Sequence, residues 1–230
     1  MPGKILSIII PIYNEDKIAA DSLPPIFSLP IEKEIIVVND GSTDATGEIL
    51  ESLKEKYSFR LISHAANKGK GAAIRRGFQE ARGDYAVIYD ADAEYRPEDV
   101  ANLFSEIKKQ PDGRTAVYGS RFLDDRRFSF HTLVNRGLTG LANLLFGGHL
   151  TDMETCLKII PRSLLDKLDL RADRFEIEPE ITAQIIKRGG KILEFPISYK
   201  YRGYSEGKKI RPKDGWQAVK TLLAEKLFRP

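Results

Sequence analysis

At 230 residues, 42% of them hydrophobic, the chain is long enough to bury one substantial core and short enough to do so as a single unit. Its 36 basic and 33 acidic residues leave a formal net charge of +3, which gives no global field to draw nucleic acid, and one cysteine, Cys156, excludes a disulfide framework. No uncharged apolar stretch reaches the roughly 18 residues that span a bilayer, and the N-terminal apolar run ends in Asn14-Glu15-Asp16 rather than a cleavage site; the expectation is a cytoplasmic protein, at most peripheral on the cytoplasmic face of a membrane.

The first half alternates short apolar runs with amphipathic stretches. Runs rich in Ile and Val over residues 5–12, 34–38, 59–63 and 85–89 predict strands. Between them, residues 44–56 follow a Ser42 cap with Ile49, Leu50 and Leu53 on one face, and residues 71–81 set Ile74 and Phe78 four apart. Residues 97–108 open on Pro97, which suits a first helical turn. This alternation predicts an α/β fold, a three-layer sandwich with a mostly parallel central sheet, whose ligands sit beyond the carboxyl ends of the strands. Three polar clusters fall there: Tyr13-Asn14-Glu15, Asn39-Asp40-Gly41-Ser42 and Asp90-Ala91-Asp92.

The second half is less regular. A strand at 115–119 leads into a charged loop at 121–127 and a helix over about 131–146, with Val134, Leu138, Leu141 and Leu145 at helical spacing. A Gly147-Gly148 turn and the pair Thr151-Asp152 precede a strand at 157–160, a helix at 179–187 and a strand at 192–199. Residues 200–230 hold nine Lys or Arg against three acids, and Trp216, Val219, Leu223 and Leu227 form a second apolar stripe there. Such stripes are more often core, but two basic amphipathic helices also suit an anionic membrane surface. With no repeat or linker, residues 1–230 read as one domain.

With 16 Asp in the chain, an Asp-x-Asp triplet arises by chance about once, so the spacing of Asp90 and Asp92 says little and their place at a strand end says more. Two carboxylates there can face a hard cation, Mg²⁺ or Mn²⁺, which keeps sites for phosphate oxygens; they can also cap the helix starting at Pro97. Asp40 offers an acceptor to nucleoside hydroxyl or base N–H groups, or closes a plain turn. Asn67-Lys68-Gly69-Lys70-Gly71 puts two cations and two glycines before a helix, as a diphosphate neighbour or a basic loop. It is no dinucleotide fingerprint, because Ile74 stands where the third glycine would be.

Together, Pro11-Ile12-Tyr13-Asn14-Glu15, Val38 to Asp44, the Asn67 to Gly71 loop and Asp90-Ala91-Asp92 resemble the family 2 glycosyltransferases, in order and in spacing. Gly119-Ser120-Arg121, Thr151-Asp152-x-x-Thr155 and the 202–208 loop are similar to the branch containing dolichol-phosphate mannose synthase and its bacterial polyprenyl-phosphate relatives. The resemblance implies a GT-A fold, with residues 1–120 as the nucleotide-sugar-binding half and 121–230 as the acceptor-binding half ending in a basic amphipathic tail. It implies that Pro11, Tyr13, Glu15 and Asp40 hold the nucleoside of a UDP- or GDP-sugar, with Lys70 and Ala91 nearby. Asp90 and Asp92 would bind or orient Mg²⁺ or Mn²⁺, Glu94 replacing the usual Gln as a third metal contact. Arg121, Arg136, Arg202 and Lys208 would bracket phosphates.

The reaction so implied is an inverting displacement at the anomeric carbon, with metal and basic residues stabilising the departing nucleoside diphosphate. Asp92, Asp152 and Arg121 are the catalytic candidates. A hydroxyl acceptor needs a base, for which Asp152 is the candidate; a polyprenyl phosphate is already anionic and needs cations instead. The basic amphipathic stripes favour the lipid phosphate. A sugar nucleotidylyltransferase would carry a glycine-rich loop where Tyr13-Asn14-Glu15 stands, and a non-catalytic nucleotide-sugar sensor would have no need of Asp90, Asp92 and Asp152.

Overall fold

The computed structural model describes residues 4–110, 112–124, 130–200 and 212–228. The first half runs β1 (Leu6–Ile12), α1 (Ala19–Phe27), β2 (Lys33–Asn39), α2 (Thr46–Lys54), β3 (Arg60–Ser63), α3 (Lys70–Glu80), β4 (Tyr85–Ile88), α4 (Pro97–Lys108). The second runs β5 (Thr115–Ser120), α5 (Phe130–Phe146), β6 (Lys158–Pro161), α6 (Arg162–Leu165), α7 (Ile177–Lys187), β7 (Lys191–Pro196), α8 (Pro212–Leu227).

β1 and β4 are buried almost throughout, as strands covered on both faces must be. They lie inside a seven-stranded sheet of order β3-β2-β1-β4-β6-β5-β7. β1 pairs in parallel with β2 and β4, β2 with β3, and β5 with β7; β6 alone runs antiparallel, between β4 and β5. The expected α/β class with a mostly parallel sheet is the observed one. Because the chain steps from β1 outward to β2 and β3 before crossing back to β4, the strand order reverses between β1 and β4. A crevice opens at such a reversal, beyond the strands' carboxyl ends, and there Tyr13 to Glu15 meet Asp90 to Asp92.

Two features differ from the sequence pattern. α1 is an additional helix with Pro24 and Pro25 inside it. Proline in a helix interior ordinarily costs about 3 kcal/mol, which here is set against burial of Ala19, Leu23, Ile26 and Phe27, the last packed on Tyr57 and Phe59. Ser42 does not cap α2: the amide of Thr46 donates to Asp44 Oδ1 at 3.0 Å, while Ser42 Oγ accepts from the Asn14 amide at 3.0 Å.

Candidate active site

Pro11, Tyr13 and Glu15 are half-buried at the end of β1. Asn14 is left-handed (φ 48), a conformation Asn tolerates, and its side chain ties the turn to the loop after β2: Oδ1 accepts from the Thr43 amide at 2.8 Å. Glu15 donates its amide to Thr46 Oγ1 at 2.9 Å. Beside them Asp40, 2% exposed, accepts four hydrogen bonds: His64 Nδ1 (2.7 Å) and the Lys68 amide (3.0 Å) on Oδ1, Asn67 Nδ2 (2.9 Å) and the Gly69 amide (2.7 Å) on Oδ2. That fills a carboxylate's roughly four lone-pair positions, so Asp40 organises the 64–69 loop.

The glycines of that loop serve packing. Gly69 has φ +103, and a Cβ there would lie 2.3 Å from the Asp173 carbonyl oxygen; one on Gly71 would lie 2.4 Å from that of Ala172. The backbone of residues 172–174 presses onto the start of α3, and the Ala72 amide donates to Asp173 O at 3.1 Å. The first turn of α3, read from the sequence as open to a diphosphate, is covered in part by the chain's own backbone. Lys70 points the other way, into the crevice: its Nζ donates to Asp90 Oδ2 at 2.8 Å and lies 3.2 Å from Glu178 Oε1. Burial alone would lower its pKa, but Asp90 and then Glu178 raise it well above the ordinary lysine value, so it is a fixed cation.

Asp92 is pushed up to about 8, first by burial and then by the carboxylates of Asp90 and Glu94. Crowding of like charges in a buried crevice is what a divalent cation relieves, so Asp90 and Asp92 fit Mg²⁺ or Mn²⁺ as a two-carboxylate seat completed by substrate phosphates. Ala93 holds the turn with a left-handed backbone (φ 59), and Ala91, 4% exposed, is fixed by Ser22 Oγ donating to its carbonyl at 2.9 Å. Glu94 sits differently. It is 8% exposed and accepts a hydrogen bond from the Tyr199 hydroxyl. Among the described residues no group of three or more His, Cys, Asp or Glu stands ready to hold a metal; the Glu94 carboxylate, expected as a third metal contact, lies close enough to raise the Asp92 pKa.

Across the crevice, Arg121 at the end of β5 lies against Asp152. Nε and the backbone amide donate to Oδ2 at 2.7 and 3.0 Å, and Nη2 donates to Oδ1 at 2.8 Å. Burial would lower the guanidinium's pKa; Asp152 raises it well above the usual arginine value. The rings of Tyr199 and Phe122 lie 5.0 and 5.4 Å from Arg121 Cζ. Glu194 of β7 holds the partner in place, accepting from the amides of Thr151 (2.7 Å) and Asp152 (2.8 Å). Arg136, exposed on α5, stacks over the other side of the site at 5.2 Å from the Phe122 ring. Arg202 and Lys208 lie outside the described residues.

Sequence reading missed Glu178, Glu194 and Tyr199, which touch this crevice from the second half of the chain. Only the acidic first turn of the helix at 179–187 and the aromatic end of the last strand could have marked them.

A mostly parallel sheet with paired carboxylates beyond its strand ends is the α/β arrangement expected of a GT-A fold. The sequence profile described as "Glycosyl transferase family 2" matches residues 7–169, and the chain belongs to that family, as an enzyme that transfers sugars; the sensor and nucleotidylyltransferase alternatives fall away. It is 30% identical over 249 residues to the UDP-N-acetylglucosamine--dolichyl-phosphate N-acetylglucosaminyltransferase of Methanococcus voltae, an alignment covering 99% of this chain and 98% of that one. It is 30% identical over 216 residues to the dolichol-phosphate mannosyltransferase of Pyrococcus furiosus, covering 88% of this chain and 58% of that one. In fold it is similar to glucosyl-3-phosphoglycerate synthase from Mycobacterium tuberculosis, crystallised with Mn²⁺, UDP-glucose and glycerol 3-phosphate (TM-score 0.71, 21% identity, 97% and 80% covered).

Proposed function

We propose that the chain moves a sugar from a nucleoside diphosphate to a polyprenyl phosphate, dolichyl or undecaprenyl, by metal-dependent inverting displacement. The observation that carries the acceptor is the two-pronged Arg121–Asp152 pair: Asp152 is fully buried and takes three hydrogen bonds from Arg121, so its carboxylate serves to hold the guanidinium rather than to face a hydroxyl nucleophile. A phosphate nucleophile requires only cations, and Arg121 is a buried one. The names of the Methanococcus and Pyrococcus relatives support the same acceptor class.

In this reading Pro11, Tyr13 and Glu15 line the nucleoside side of the crevice, and Asp90 and Asp92 hold Mg²⁺ or Mn²⁺, which supplies positive charge to the departing diphosphate. Lys70 adds a fixed cation beside Asp90, and Arg121 and Arg136 face the incoming phosphate, with Arg202 and Lys208 as further phosphate contacts.

A membrane surface is the proposed location of the acceptor. α5 and α8 pack on each other through Leu138, Ala142, Ala218 and Leu222, yet Leu144 and Leu227 are 81% and 66% exposed. No helix among the described residues is long and apolar enough to cross a membrane, so this face would rest on the surface.

The test is transfer of label from a panel of UDP-, GDP- and dTDP-sugars, with Mn²⁺, to undecaprenyl or dolichyl phosphate. The expected result is an organic-extractable product from one donor; label found only in water-soluble acceptors overturns the reading.

A further inference from the structure

Behind Lys70 lies a second layer of buried charge that the transfer reaction does not by itself require. Glu178, 3% exposed in the first turn of α7, places Oε1 3.2 Å from Lys70 Nζ without forming a hydrogen bond there, while Oε2 accepts from Lys158. Lys158 is fully buried on β6; its Nζ also donates to the Thr155 carbonyl and lies 5.2 Å from the Tyr118 ring centre. Charge therefore alternates from the sheet to the crevice: Lys158, Glu178, Lys70, Asp90.

A buried lysine facing one aspartate forms a closed neutral pair, and such a pair competes with any metal for the carboxylate. Here the Lys70 hydrogen bond goes to Asp90 while its charge is shared with Glu178. Sharing weakens the hold on Asp90 and leaves the ammonium in place. Lys158 fixes Glu178 in the geometry that allows it, and Gly69 and Gly71 let the backbone of residues 172–174, just ahead of α7, pack against the start of α3.

We propose that Glu178 is a positioning residue that keeps Lys70 from closing a private ion pair with Asp90 and so keeps Asp90 open to the divalent cation. It rests on the metal-dependent reading above. Removing a group that orients a metal ligand from behind typically weakens metal binding 10- to 100-fold; Glu178→Gln is therefore expected to raise the dissociation constant for Mn²⁺ about tenfold. Binding is read as free Mn²⁺ by electron paramagnetic resonance, with and without nucleoside diphosphate and against a nucleotide-only blank.

Glu178→Gln also strands Lys158, so its melting temperature falls. The double variant Glu178→Leu with Lys158→Met removes both buried charges and is expected to recover the melting temperature while still binding Mn²⁺ about tenfold more weakly. Recovery of Mn²⁺ affinity together with melting temperature in the double variant overturns the proposal, because Glu178 would then be structural only. So does unchanged Mn²⁺ affinity in Glu178→Gln. Failure of the parent protein to bind Mn²⁺ even with nucleoside diphosphate present instead removes the metal-dependent reading, and the proposal with it.

Discussion

Asp152 meets Arg121 as the mirror of its guanidinium fork: 2.7 Å to Nε, 2.8 Å to Nη2, with Asp152 0% and Arg121 8% exposed on their side chains. A buried pair of this kind costs little to replace as a whole and much to break. Asp152→Asn is expected to lower unfolding stability by about 3 kcal/mol and to reduce transfer at the same time. The pH dependence of the residual rate should match the parent. A residual rate that climbs with hydroxide concentration would instead restore Asp152 as a base for a hydroxyl acceptor.

The seam at the start of α3 gives a prediction independent of chemistry. Gly69→Ala puts a side chain on a backbone at φ +103 and 2.3 Å from the Asp173 oxygen; alanine at positive φ destabilises by more than about 1 kcal/mol even in open space. A fall in denaturation midpoint with an unchanged denaturant slope is the expected result. A midpoint equal to the parent's would show that residues 172–174 do not press on α3.

Glu154 gives the pH prediction. Burial raises it, Lys158 pulls it down and Glu178 raises it again, leaving it at about 7 against an ordinary 4.5. The folded chain thus binds this proton more tightly than the unfolded one. Its stabilising effect is present below about pH 4.5 and is lost as pH rises towards 7, by up to roughly 1.4 kcal/mol per pH unit. Glu154→Gln removes the ionisation, so the variant should melt above the parent at pH 8 by a margin that shrinks towards pH 5. Parallel melting curves across that range would show that Glu154 does not titrate in the window.

Much of this was readable in the sequence, for physical reasons. Residues buried on both faces wrote β4 as an unbroken apolar run and β1 as one interrupted only by Ser7 and Pro11, and Pro97 marked the start of α4 to the residue. The strand-end clusters were readable because a parallel sheet brings its carboxyl ends together. α1 was hidden by Pro24-Pro25, since its stability comes from packing on Tyr57 and Phe59 rather than from local preference. The roles of Asp40 and Glu178 were hidden for a related reason: each is defined by partners 20 or more residues away. In α8 the apolar stripe was read correctly as a stripe, but Ala218 and Leu222 face inward while Trp216, Leu223 and Leu227 face out.

Asp90 and Asp92 should separate from the fold in a simple experiment. Asp92→Ala removes one member of a crowded carboxylate group, so the variant is expected to fold with a melting temperature no lower than the parent's while metal-stimulated transfer disappears. Transfer that still responds to Mn²⁺ in this variant would remove Asp92 from the proposed metal seat.

The outward face of α8 supplies its own reporter. Trp216 is the sole tryptophan of the chain and is 63% exposed, with Lys220 Nζ 5.8 Å from its ring; Leu223 and Leu227 continue the face at 40% and 66% exposure. An apolar strip flanked by lysine enters the headgroup boundary of an anionic bilayer, gaining both buried apolar area and charge attraction. Trp216 emission should therefore move to shorter wavelength when vesicles containing phosphatidylglycerol are added, and should move less at high salt, which screens the lysines. Leu223→Ser with Leu227→Ser leaves Ala218 and Leu222 to hold α8 against α5, so it should keep the melting temperature while losing co-sedimentation with the vesicles. Unshifted emission together with full recovery of the parent protein in the supernatant would refute surface docking through α8.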